Sequence, residues 1–341
     1  MRGSVYAVSL ILVLCFAGCE QLQPKEEPVS TEPDLLLPPG GPPIAPAAVL
    51  PPTPEQIIAG FSSKNSMEIT DQDLAQVAAL ESAQQSITEL NLKSATLSSA
   101  AFQSMARFPS LVNVDMESTA LTDTHWELLS EVKSIEQLNL TRSGINNSYM
   151  EHIGELSNLT HLTLSGTVVN DDGLAKLSKL SALSEITFNS TEITGSGLAA
   201  LGKKGARAPI RVVRAGNSMI GYLGFVYFKE FADLEEVYAA NSSVTDGSIE
   251  GLKGSANLRI LEISGNQVSD DGLKNLSSSR RLEELILRDN KLVTDAALAR
   301  LKKLPNLVKL NIENTQCTMK GVEGLKKMLP NCSVYFQQQT F

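Results

Sequence analysis

From Ile87 onward the chain repeats at an interval of 24 residues, and a repeat of that length limits the fold more than any other feature of the sequence. Aligned on their first apolar residue, the units begin at Ile87, Leu111, Ile135, Leu159, Leu183, Ile210, Leu234, Leu258, Leu282 and Leu307. The interval departs from 24 twice, reaching 27 between Leu183 and Ile210 and 25 between Leu282 and Leu307. Each unit opens L-x-x-L-x-L, as in LTHLTL, LRILEI, LEELIL and LVKLNI. It then passes through a Thr, Ser or Asn and continues T/S-D-x-G-L-x-x-L.

The pattern has a direct physical reading. L-x-L alternates with period two, so it marks a short strand with one face buried. G-L-x-x-L-x-x-L spaces apolar residues as one face of a helix does. One strand and one helix cannot bury a core alone. Stacked, the strands pair as a parallel sheet and the helices cover its other side. Helices are wider than the strand spacing of about 4.8 Å, so the stack curves with its strands inside. The fold class expected is an α/β solenoid, with a parallel concave sheet and convex helices.

The stretch NDDG, Asn170 to Gly173, has the look of a metal site. It recurs too often for that. Asp171 and Asp172 correspond to Asp123, Asp246, Asp270, Asp271 and Asp295, each at a helix start, where Asp, Ser and Thr accept hydrogen bonds from free amides. The pattern also departs from the calcium-loop spacing. Gly173 is matched by Gly197, Gly224, Gly272 and Gly321, with Ala101, Ala297 and Ser248 as small equivalents. Small residues there imply a close approach to the neighbouring turn. His125 and Tyr149 break that column in adjacent units, and the sequence offers no reason. A second column, Thr119, Ser143, Thr167, Thr191, Ser218, Ser242, Asn266, Asn290 and Thr315, suits satisfaction of backbone groups in buried turns.

These units resemble the leucine-rich repeat, and the match covers Ile87 to about Phe336. The closest likeness is to bacterial leucine-rich repeat lipoproteins whose units read T-x-I-T-D-x-G-L, which implies a horseshoe that binds partners. The repeats are also similar to those of substrate-receptor proteins in eukaryotic ubiquitin ligases, a role the N-terminus argues against. There, Arg2 precedes the apolar run VYAVSLILVLCFAG. Spanning a bilayer takes about 20 residues, so this shorter run reads as an export signal. FAGC then resembles the bacterial lipoprotein box, which implies lipidation of Cys19. Phe16 departs from the usual aliphatic residue, and Cys15 after bulky Leu14 fits worse. A plain secretory signal with an incidental cysteine is the other reading. In such lipoproteins a residue other than aspartate after the cysteine, here Glu20, implies the outer membrane.

The expected organisation is therefore a signal peptide over residues 1–18, a proline-rich tether over 19–56, a helical cap over 57–86 and a repeat domain with a C-terminal cap over 87–341. Proline fixes φ and lacks an amide hydrogen, so the tether is extended, with a reach on the order of 100 Å. Cys317 and Cys332 fall in apolar slots of the repeat. Two readings stand for them, a disulfide in an oxidising compartment or a pair of buried small hydrophobes.

Function points to binding. The net charge of −9 argues against nucleic acid, which requires a basic face. The three histidines, His125, His152 and His161, do not converge, and no nucleophile elbow, phosphate loop or zinc motif occurs. The chain reads as a non-enzyme that needs no cofactor or metal. Exposed strand residues should line up as Asn91, Asp115, Asn139, Thr163, Thr187, Arg214, Tyr238, Glu262, Ile286 and Asn311. The sixth unit changes character. The stretch around it, Gly202 to Tyr238, gains three residues, carries Lys203, Lys204, Arg207, Arg211 and Arg214 with no acid among them, and holds Tyr222, Tyr227 and Tyr238, three of the six tyrosines. Phe225, Phe228 and Phe231 are core by register. Tyr and Arg are enriched in binding hot spots, so this unit is the candidate surface for a protein or glycan partner, acidic in character. The competing reading is a degenerate repeat with solvated charges, in a passive envelope spacer. Oligomeric state is not legible.

Overall fold

A computed structural model describes residues 51–202 and 205–341, and Pro51–Phe341 forms one compact unit. The run expected to be an export signal, Cys15, Cys19, the expected tether up to residue 50 and the pair Lys203 and Lys204 lie outside the described residues.

Each unit contributes one strand: β1 Glu89–Asn91, β2 Asn113–Asp115, β3 Gln137–Asn139, β4 His161–Thr163, β5 Glu185–Thr187, β6 Val212–Arg214, β7 Glu236–Tyr238, β8 Ile260–Glu262, β9 Glu284–Ile286 and β10 Lys309–Asn311. The terminal β11 Ser333–Phe336 and β12 Gln339–Thr340 complete a sheet of 12 strands in sequence order. β1 to β11 pair in parallel and β12 turns back antiparallel on β11. The register follows the repeat, with Leu138 opposite Leu162 and Leu162 opposite Ile186. Leu162 and Leu164 are fully buried, as the L-x-L alternation requires. The chain is a leucine-rich repeat solenoid, one layer of parallel strands backed by one layer of short helical segments around a continuous aliphatic core.

The long interval does not disturb that sheet. Glu185 still lies opposite Val212, because the extra residues enter the loop between Ser196–Ala200 and β6. The phenylalanines Phe225, Phe228 and Phe231 are buried, as their register predicts.

The helical half is less regular than the spacing suggests. Ser196–Ala200, Gly224–Glu230 and Gly272–Ser278 are 3₁₀ turns, and Asp171–Ala175 is a single turn of α-helix. A glycine sits in the first or second position of each 3₁₀ segment, where it weakens an α start, and the tighter turn suits short pieces.

Helices Pro54–Ser62, Asp71–Ala78 and Glu81–Ser86 precede the first strand, so helix starts at Pro54, ahead of the residue-57 boundary read from composition. Thr53 caps that first helix through a reciprocal pairing with Gln56. Leu74, Val77 and Ala78 of the second are buried against the first repeat. At the other end Phe336 packs beside Phe341, with ring centroids 6.5 Å apart. Cys317 and Cys332 are both free and buried, and burial pushes each thiol up to about 11.

In the polar column Thr119, Ser242, Asn266 and Asn290 reach carbonyls of the preceding unit, while Ser143, Thr167, Thr191, Ser218 and Thr315 donate within their own turns. Thr119 donates to Leu92 O at 2.6 Å in the preceding unit. Asn266 does more. Its Oδ1 accepts from Ser242 N and Val244 N, and its Nδ2 donates to Ala239 O, Ile263 O and Ser264 O, all within 3.0 Å. Asn266→Ala takes their partner from Ser242 N, Val244 N and Ala239 O, at about 1–3 kcal/mol each where they stay dry, while Ile263 O keeps Asn290 and Ser264 O keeps Asn241 N. It is expected to lower the unfolding free energy in urea by at least about 2 kcal/mol, whereas Ser264→Ala on the exposed face changes it by under about 0.5 kcal/mol.

Candidate functional site

The aspartate of the NDDG turn, like its equivalents in several other units, fixes one unit against the next. Asn170 caps its own helix by accepting from Asp172 N at 3.0 Å. Asp171 reaches instead into the following unit. Its Oδ1 accepts from Gly195 N and Gly197 N, each at 2.9 Å, and its Oδ2 accepts from Thr194 N at 2.9 Å and Thr194 Oγ1 at 2.7 Å. Asp246, Asp270 and Asp295 bind Ser269, Thr294 and Thr318 in the same way. These aspartates thus cap the neighbour's turn rather than their own helix. The small column makes room for them: a Cβ on Gly321 would lie 2.0 Å from Asp295 Oδ1, and one on Gly272 would lie 2.3 Å from Asp246 Oδ1. Asp172 is exposed and does not share the site, so the two carboxylates form no pair. Among the described residues no cluster of three His, Cys, Asp or Glu is placed to hold a metal ion.

The two residues that break the small column belong to an aromatic variant of the same joint. His125 stacks on Phe102 with ring centroids 4.6 Å apart, and its Nδ1 accepts from Thr122 N at 3.2 Å. Burial, opposed by the charge of Asp71, holds its imidazole below the ordinary value, consistent with the neutral form that this bond needs. Tyr149 stacks on Trp126 at 5.4 Å, and the Asp123 carboxylate beside its hydroxyl pushes the phenol up. The cap carries the joint too: Asp71 accepts from Ser98 N at 2.9 Å, so I-T-D-Q-D-L at residues 69–74 acts as the helical half of a unit.

The candidate binding residues are split by the fold. Arg211 precedes β6, Arg214 ends it, and Tyr238 ends β7, all on the sheet face. Tyr227 lies in the helical layer, half-buried against the core. Tyr222 falls in the helical turn Ile220–Leu223, and its side chain lies outside the described residues, as do Lys203 and Lys204. Arg207 lies in the inserted loop with φ of 55° and lines a recess with Leu201, Pro209 and Asp233.

On the sheet face the arginines meet acids from neighbouring strands. Arg211 grips Glu235 with two bonds, at 3.0 and 2.9 Å. Arg259 pairs with Glu283 at 2.9 Å. Arg214 is held by Glu185, lies 3.8 Å from Glu236, and sits 5.0 Å over the Tyr238 ring. The Tyr238 hydroxyl donates to Glu236 at 2.9 Å; burial first, then this bond, pushes the phenol up to about 12. The basic run in the sequence is therefore neutralised where it meets the sheet. One signal pointed to this: one repeat length added to Arg211 or Arg259 lands on Glu235 or Glu283. The cation over the aromatic ring stands where sequence placed it.

Comparison with known proteins agrees with this architecture. A family profile described as "Leucine Rich repeat" matches residues 155–178 and 254–277. The chain is 43% identical over 83 residues to the geranylgeranyl transferase type-2 subunit alpha of mouse, and 41% identical over 83 residues to that of rat. That segment is 23% of this chain, and it spans only 14% of the length of either relative. Among solved structures, an internalin of Listeria monocytogenes superposes with a TM-score of 0.56 at 15% identity, covering 83% of this chain and 93% of that one. A leucine-rich repeat protein of Leptospira interrogans superposes with a TM-score of 0.52 at 19% identity, covering 74% and 67%. At such identities the likeness is one of fold.

The Asp171 joint has a pH signature. Burial raises the carboxyl, but the bonds from Gly197, Thr194 and Gly195 together outweigh it and hold the group below its ordinary value. A carboxyl depressed in the folded state stabilises fully above its unfolded value, about 3.9, and that stability is lost as pH falls through the folded value. The urea midpoint of the wild type is expected to exceed that of Asp171→Asn at pH 7, with the gap closing as the pH is lowered below about 4.

Proposed function

We propose that this chain is an exported, lipid-anchored module of a bacterial envelope that holds a protein or glycan partner against its sheet face, through the sixth and seventh units. The leucine-rich repeat fold is itself a protein-interaction module, and what is added here is the anchor, the compartment and the place. The observation that carries the reading is the sheet itself. Its buried side rests on the helical layer, while along its other side runs an in-register array of half-exposed side chains that, among the described residues, no further layer covers. Such an array is rigid before binding, so little ordering entropy opposes association. Arg214 and Tyr238 stand on it as a preformed cation–aromatic pair, a hot-spot composition.

Anchoring rests on the sequence. The apolar run before Cys19, the FAGC box and the proline-rich segment support export, lipidation at Cys19 and a tether, and Glu20 favours the outer membrane. Among the described residues no helix is long and apolar enough to cross a membrane. No catalytic role is assigned.

Two outcomes follow. Full-length protein used as bait in envelope extract of its host is expected to capture a partner saturably, and Arg214→Glu with Tyr238→Ala to abolish capture while circular dichroism stays unchanged. Undiminished capture by that folded variant rejects the site. Cys19→Ala is expected to lose incorporation of labelled palmitate and to shift the protein from the membrane to the soluble fraction of the same cells.

A further inference from the structure

The exposed side chains of the sheet change in kind along the solenoid. On β1 to β5 they are polar: Glu89, Asn91, Gln137, Asn139, His161 and Thr163 are typical. On β6 to β9 apolar groups enter, with Val212, Tyr238, Ile260 and Ile286 half-exposed on the same face. Ile260 lies at the middle of this zone. Register puts Glu236 on one side of it and Glu284 on the other, one strand spacing of about 4.8 Å away each. Glu262 stands two residues along the same strand, opposite Tyr238 and Ile286.

The charges around that centre do not balance. Before the strands, Arg211 with Glu235 and Arg259 with Glu283 cancel pairwise. After β9, Arg288 is taken up by Asp289 and Glu313. On strands β5 to β10 there remain four carboxylates, Glu185, Glu236, Glu262 and Glu284, against two full cations, Arg214 and Lys309. Both cations are already engaged at the flanks, Arg214 by Glu185 and Glu236 on one side, Lys309 by Glu284 at 2.5 Å on the other. Glu262 accepts only a backbone bond from Ser264 N at 3.0 Å and has no ion pair among the described residues.

We infer that the face of β6 to β9 docks a protein segment that presents an apolar side chain over Ile260 and Ile286 with a flanking lysine or arginine on Glu262. This deepens the function proposed above and rests on it, but it reverses the sign of the partner expected from the basic run. The apolar centre excludes water and supplies contact area, while the uncompensated carboxylates select for a cation and against an anion. The preformed Arg214 and Lys309 pairs at either flank close off the rest of the acidic surface, so the charge sought by the partner is local, next to its apolar anchor.

The test is a selection of random displayed peptides on immobilised full-length protein, with Ile260→Asn/Glu262→Lys as the counter-target. Enriched peptides should carry Lys or Arg next to Leu, Ile or an aromatic residue. Synthetic copies should bind about tenfold more weakly to either Ile260→Asn or Glu262→Gln, each checked for unchanged thermal unfolding, and more weakly as salt rises. Enrichment of acidic peptides that lose binding to Arg214→Glu would overturn this inference and leave the broader reading standing. Peptides that bind both substituted proteins as well as the wild type, or no enrichment over the counter-target, overturn it as well. Loss of envelope capture by the Arg214 and Tyr238 variant, measured separately, tells whether the broader reading stands or falls with it.

Discussion

No single turn of this chain can satisfy its own backbone. A strand of three residues leaves amides and carbonyls pointing sideways along both edges, and its one buried residue with the apolar residue that follows it covers too little area to offset the entropy of ordering the turn. The remedy is always the same group in the next turn, one repeat away. Leu92 N bonds Asp115 O, Met116 N bonds Asn139 O and Leu140 N bonds Thr163 O, so the ladder continues past the strands as assigned. The need to meet the neighbour's groups at the same height holds every strand in register with the next, whether the interval is 24, 25 or 27, and the other regularities of the structure follow from it.

Side chains extend that backbone logic. Thr119, Ser242, Asn266 and Asn290 of the polar column fasten turns on the strand side, and the Asp column fastens them on the helix side. The second works only if the partner unit offers a residue with almost no side chain. Gly197, Gly272 and Gly321 are thus the space into which Asp171, Asp246 and Asp295 fit. Where the chain places His125 and Tyr149 instead, it changes the currency of the joint from carboxylate and amide to stacked rings. Trp126 and Phe102, each buried, are the rings they need.

Most of the fold was legible because it is written ten times. Leu162, Leu164 and their equivalents declare the strand and its buried face, and Phe225 and Phe228 could be placed by register alone. The 3₁₀ character of Gly272–Ser278 was not legible, since i+3 and i+4 spacing both suit G-L-x-x-L and the choice depends on the neighbouring turn. The candidate site was harder still. Arg211 with Glu235 could have been found by adding one interval, but Arg214 meets Glu185, 29 residues earlier across the longer interval, and that offset matches no repeat length. What sequence did place was the pairing of Arg214 with Tyr238, residues exactly one interval apart on adjacent strands.

The loop after Ser196–Ala200 absorbs three additional residues while Glu185 and Val212 stay in line. Length on this rim is uncoupled from alignment within the sheet. An evolving or engineered chain can thus receive new segments at that rim, even a small folded domain, and keep the in-register array of strand side chains intact. The rim is where the molecule can diversify its outline at little risk to its spine.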